Sequence, residues 1–120
     1  MNEKQSKIFD LEDRTLQFAV DVRKFTENLP KTMANQEDSR QLVRSSGSVG
    51  ANYIEANEAL GKKDFLMRIK ISRKEAKESR YWLKLLRIGE NPALLAVKES
   101  LIQESTELMN IFGAIFRKSE

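Results

Sequence analysis

Apolar side chains recur every three or four residues along almost the whole chain, and Pro or Gly interrupts the pattern at only a few points. That period lines one side of an α-helix, whereas a half-buried strand needs strict alternation. Every ordered segment is therefore read as helix. After a polar lead, Asp10 is placed to cap a first helix that turns Leu11, Phe18, Val22, Phe25 and Leu29 inward and stops before Pro30. The polar stretch from Lys31 to Gln36 reads as a loop. A second helix is expected from about Glu37 through Leu42, Val43, Val49, Tyr53 and Ile54 to Ala59, ended by Gly61. The third and longest runs from about Lys63 to Ile88, with Phe65, Ile69, Ile71, Ala76, Trp82, Leu83 and Leu86 inward, and Gly89 closes it. Asn91 caps the fourth, Pro92 takes its first position, and Leu94, Leu95, Leu101, Leu108, Ile111, Phe112 and Ile115 continue the core pattern.

Four helices joined by short connections pack beside their sequence neighbours, so the fold class expected is all-α, an antiparallel up-and-down four-helix bundle. A chain of 120 residues has the size of one domain. The bundle is assigned to residues 9–120 and a disordered lead to residues 1–8. No stretch approaches the 18 apolar residues of a membrane span, so no membrane association is expected. With no Cys there is neither disulfide nor thiolate chemistry, which suits the cytoplasm.

The absence of His as well as Cys removes the usual proton shuttle, the usual thiol nucleophile and the commonest metal ligands. The Glu-x-x-His pairs of two-metal bundles cannot be assembled. No Ser precedes a Lys by three residues, and Gly61-Lys62 lacks the rest of a phosphate-binding loop. The chain is read as a non-enzyme without cofactor or metal.

The third helix carries the most information. From Lys62 to Ile88 it holds ten Lys or Arg against three acids, a net +7 in a chain whose total is +3. On a helical wheel Lys70, Arg73, Lys77, Arg80, Lys84 and Arg87 fall within about 100° of arc and form a ridge roughly 25 Å long. Such a ridge can track nucleic-acid phosphates, with salt-sensitive affinity, or it can be an ordinary solvated face. Tyr81 flanks it, either to stack on a base or as half-buried packing. Glu75 and Glu78 point into the sector shared with Ile71, Trp82 and Leu85, where an unpaired carboxylate is costly to bury. Arg44 and Glu55 share a face of the second helix, so pairing among these four groups, between helices or between subunits, is expected. An acid-based enzyme would instead need a concave pocket around Glu55, Glu75 and Glu78.

In the second helix, Ser45-Ser46-Gly47-Ser48-Val49-Gly50-Ala51-Asn52 concentrates small residues, although each mid-helix Gly costs about 1 kcal/mol relative to Ala. Val43, Ser46, Gly47, Gly50 and Ile54 share one face, which suggests close approach of a neighbouring helix. The other reading of Gly47-x-x-Gly50 is a nucleic-acid-clamping loop, a module that needs strands beside its helices.

Phe9-Asp10-Leu11-Glu12-Asp13-Arg14-Thr15, then Phe18-Ala19 with Val22, then Leu29-Pro30-Lys31, resemble the opening of the four-helix-bundle proteins encoded in intervening sequences of bacterial 23S ribosomal RNA genes. Gln41-Leu42-Val43-Arg44-Ser45 with Ser48 to Ala56 is similar to that family's second helix. Lys63-Asp64-Phe65, Lys74 to Glu78 and Trp82-Leu83 are similar to its third. Gly61 stands where relatives often carry a capping Ser. The resemblance implies a homopentameric bundle, and kinship with the accessory variability determinant proteins of diversity-generating retroelements, which bind nucleic acid and a reverse transcriptase. The partners expected are thus the chain itself and RNA or DNA. The rival expectation is a protein-protein scaffold with no nucleic-acid role.

Overall fold

The computed structural model describes residues 11–120, in four helices: α1 (Leu11–Glu27), α2 (Met33–Asn57), α3 (Lys62–Leu85) and α4 (Pro92–Ser119). The Asp10 cap and the lead over residues 1–8 lie outside the described residues. Each helix packs on its neighbours in sequence, and α1 closes the ring against α4. The result is an antiparallel up-and-down bundle, all-α, with no strand among the described residues.

The core follows from the apolar stripes. Phe18, Val22 and Phe25 of α1 meet Leu42 and Val49 of α2, Ile69, Ala76 and Leu83 of α3, and Leu101, Leu108 and Phe112 of α4, all buried. Each of the fully buried Leu or Phe side chains contributes about 2 kcal/mol through area removed from water. Tyr53 and Phe112 reach across the bundle axis, their ring centroids 5.6 Å apart. Two residues placed inward by periodicity, Ile54 and Leu95, are exposed. The sectors they occupy have no helix packed over them, since each helix touches only two others.

The seam between α2 and α3 is lined with small residues. Ser45, Ser72, Ala76 and Ser79 are fully buried there. Their hydroxyls are satisfied in place: Ser45 and Ser79 share a 2.9 Å hydrogen bond, and Ser72 donates to the Val49 carbonyl. Satisfied in this way, a buried hydroxyl avoids the cost of an orphaned polar group.

Three helix boundaries differ from the sequence reading. α2 begins at Met33, inside the stretch expected to be loop, because the Thr32 hydroxyl accepts from the Asn35 amide and caps it. Gly61 does not end α2. It is the N-cap of α3, without a side-chain cap bond, while α2 stops at Asn57. α3 ends at Leu85 rather than Ile88: Leu86 is extended, and the next residue, Arg87, is held through both its backbone N–H and its carbonyl by the buried Asn35 side chain. Gly89 follows in the connection with a φ of 69°, a conformation that favours glycine. At the start of α4 the Asn91 side chain accepts from the Leu94 amide, with Pro92 in the first turn.

Candidate nucleic-acid interface

The cations of α3 occupy the flank that faces α4. Lys70, Arg73, Lys77 and Lys84 are exposed. Arg80 is half-buried, and its Nη1 donates to Thr106 Oγ1 of α4 at 3.4 Å. From Lys70 to Lys84 the row spans about 21 Å at the helical rise per residue. Arg87 does not belong to this row as a helical residue. It lies beyond the end of α3, and its phase on the wheel, drawn for a helix running to Ile88, does not apply. Among the described residues, none of these six cations has a carboxylate within 4.0 Å.

Two acids of α4, Glu104 and Glu107, are engaged away from the row. On the far side of α4, Arg14 of α1 binds Glu104 at 2.7 Å and Glu107 at 3.0 Å. The hydrogen bond to Glu104 raises the Arg14 pKa still further, and the Glu107 carboxyl is held below its ordinary value by Gln103 and then by Arg14. Lys98 of α4 donates to the carbonyls of Lys84 and Leu86 at 3.3 and 2.8 Å, closing the negative end of α3.

Tyr81 stands beside the row, 58% exposed, with one edge against the Trp82 ring at a centroid distance of 5.1 Å. Its ring is held by that contact while most of its surface faces solvent.

On the opposite flank of α3, Arg44 of α2 bridges two acids, Nη1 to Glu75 at 3.2 Å and Nη2 to Glu78 at 3.6 Å. Burial raises the pKa of the Glu75 carboxyl, and the adjacent Glu78 raises it further against the opposing pull of Arg44. Glu78 is lowered, chiefly by its hydrogen bond with Glu75. Glu75 therefore keeps its proton to higher pH than an ordinary glutamate, and Glu78 gives its proton up more readily. Glu55 is not part of this cluster. It is exposed, and although it shares Arg44's side of α2 it lies three turns, about 16 Å, along the helix. An open hollow of about 680 Å³ lies at the α1–α2 turn, bordered by Leu29, Pro30, Asn35, Ser39 and Arg40, and none of Glu55, Glu75 or Glu78 lines it.

Gly50 faces α1 at close range. A Cβ there would stand 2.7 Å from Thr15 Oγ1 and 3.1 Å from Thr15 Cβ. Gly47 is less crowded, with Arg23 Nη2 at an ordinary 3.6 Å from a Cβ position. Both glycines sit in uninterrupted helix without an adjacent strand, which removes the clamping-loop reading.

Over residues 9–112 the chain matches the family model described as 23S rRNA-intervening sequence protein. The chain belongs to that family. A solved structure of a protein of unknown function from the S23 ribosomal protein family of Bacteroides thetaiotaomicron VPI-5482 is 32% identical to this family member. The match covers 88% of this chain and 96% of that one, with a TM-score of 0.72. Comparison with curated proteins finds no match. Among the described residues of this intervening-sequence protein, no group of three or more acids is placed to hold a metal ion, and no helix is long and apolar enough to cross a membrane.

Sequence reasoning missed two basic residues of α4 that reach the α3 flank, Lys98 and Arg117. Their positions on α4 are periodic like any others, and only the register of α4 against α3 brings them there.

Proposed function

We propose that this 23S rRNA-intervening sequence family protein is a non-enzymatic, oligomeric adaptor that contacts RNA or DNA through the basic flank of α3. The observation that carries the reading is the row Lys70, Arg73, Lys77, Arg80 and Lys84, which faces solvent and α4 without a carboxylate partner among the described residues. A solvated helix face of this charge density ordinarily alternates signs, and unopposed cations in a line are what counterion release from phosphates rewards. Binding of this kind is largely blind to sequence and weakens steeply as salt rises.

The test is salt-dependent binding to labelled structured RNA and duplex DNA, with particle mass from light scattering on the same sample. Binding is expected with a steep negative slope of log affinity against log salt. The quadruple variant Arg73→Glu, Lys77→Glu, Arg80→Glu, Lys84→Glu is expected to lose it while keeping its helical circular dichroism. Unchanged binding by that variant refutes the assignment to α3. The pentamer implied by the family resemblance corresponds to five times the 13.8 kDa of one chain, and a monomer mass contradicts it.

A scaffold role through protein-protein contacts is favoured by a separate observation on the other flank. Met67 and Leu85 are exposed and Ile71 and Trp82 half-buried on the sector that carries Glu75 and Glu78. The Trp82 indole N–H is buried there without a hydrogen-bond partner. This sector is also the natural one for self-association, so the two surfaces serve an adaptor together. Association with a protein partner in the absence of any RNA or DNA binding would leave the scaffold role alone.

A further inference from the structure

Gly113 lies within α4, toward its C-terminal end, is buried, and has an ordinary helical backbone; the one positive-φ glycine among the described residues is Gly89. Neither a turn nor a backbone strain accounts for it, although a mid-helix Gly is unfavourable. Two arginines lie over it. A Cβ at this position would stand 3.3 Å from Arg117 Nη1, 3.5 Å from Arg73 Nε and 3.7 Å from Arg73 Cδ. Guanidinium groups from two different helices thus fold down onto the same point of backbone, no farther apart than those two distances together.

Both arginines are exposed, and among the described residues neither has a carboxylate within 4.0 Å. Lys70 and Lys77 flank Arg73 one turn to either side on α3, so the surroundings add positive charge. Two like charges brought together repel unless an anion lies between them. The planar fork of a guanidinium matches the oxygens of a phosphate, and two forks can hold one phosphate from opposite sides. We infer that Arg73 and Arg117, closing over Gly113, form a clamp for a single phosphate of a nucleic-acid backbone, the fixed point at which the α3 row registers on its ligand. A Cβ at Gly113 would meet Arg73 at ordinary contact distance and crowd only the Arg117 Nη1 atom, at 3.3 Å. The inference rests on the proposed nucleic-acid reading but deepens it, because a row that merely counts charge has no such point.

Two measurements on the full chain test it. In the first, the Nε–Hε resonances of the arginines are followed by NMR during titration with inorganic phosphate. Arg73 and Arg117 are expected to move together on one saturable curve, with Arg68 and Arg80 nearly still, and Arg117→Gln is expected to flatten the Arg73 response. No movement, or equal unsaturating drift of every arginine, overturns the clamp. In the second, duplex RNA binding is compared for Arg73→Gln, Arg117→Gln, the double variant and Lys118→Gln, which removes the same charge from the neighbouring position. Each arginine variant is expected to weaken binding about 3- to 10-fold and the double variant scarcely more, while Lys118→Gln changes it less than about 2-fold. If wild type binds RNA and Arg117→Gln behaves like Lys118→Gln, the clamp is overturned and the α3 row stands. If wild type binds no nucleic acid while Arg73 and Arg117 saturate with phosphate, the nucleic-acid reading fails and the oxyanion clamp stands.

Discussion

Asn35 ties two connections at one end of the bundle together, and its removal gives a sharp measure of what that tie contributes. The residue is 2% exposed. Its side-chain amide donates to the carbonyls of Pro30 and Arg87 at 2.9 and 2.8 Å, and its oxygen accepts from the Arg87 amide at 3.0 Å. The α1–α2 turn and the start of the α3–α4 connection are therefore joined through one side chain. Asn35→Ala deletes all three bonds and leaves two carbonyls and an N–H without their partners. At about 1 kcal/mol per bond the loss is about 3 kcal/mol. For a chain of this length the unfolding entropy is about 0.25 kcal/mol/K, so the melting temperature should fall by about 12 °C. Urea unfolding and calorimetry at one fixed protein concentration measure it, since self-association would otherwise shift the midpoint. Asn35→Asp should cost at least as much at neutral pH, because a carboxylate cannot donate to the two carbonyls and repels them instead. A loss below about 1 kcal/mol for Asn35→Ala would refute the reasoning and mean that water replaces the side chain at no penalty.

Two further perturbations bear on the packing and the charge cluster. Gly50→Ala should destabilise by about 1 kcal/mol despite its better helix propensity, since the added methyl meets Thr15 Oγ1 at 2.7 Å. Adding Thr15→Ala should recover part of that loss, and a stabilised single variant in chemical denaturation would contradict the close approach. Glu75→Gln bears on pH. The Glu75 pKa is raised in the folded chain, so its contribution is fully present below the unfolded value of about 4.5 and is lost as pH rises through the folded value. The variant should melt a few degrees above wild type at pH 8 and close to it at pH 4.5, and the reverse ordering across a pH series of melting curves would show that ionised Glu75 is stabilised by Arg44 outright.

The sequence carried the helices and their inward stripes because apolar period and terminal punctuation are local. The α4 start is the clearest instance, with Asn91 and Pro92 doing there what their chemistry favours anywhere. The ends of α2 and α3 were harder, for different reasons. Thr32 was a readable cap, but the surrounding polar residues looked like loop. The stop at Leu85 comes from a tertiary bond to Asn35, fifty-two residues before Arg87, while Leu86 and Ile88 continue an apolar pattern that invites more helix. The Arg44 cluster was partly legible because two acids in an apolar sector demand a cation. Wheel angle grouped Glu55 with them, and wheel angle ignores distance along the axis. The convergence of Arg73 and Arg117 was out of reach for any reading of single helices.

The serine-lined seam between α2 and α3 bears on how the cation row is aimed. Leucine surfaces tolerate sliding, since one methyl replaces another at little cost. Here a slip of one turn, 5.4 Å, would separate Ser45 from Ser79, Ser72 from the Val49 carbonyl and Arg44 from Glu75 all at once. The seam works as a detent with a single notch. It locks the longitudinal position of α3 against α2, so that whatever meets the cation row meets a fixed ruler.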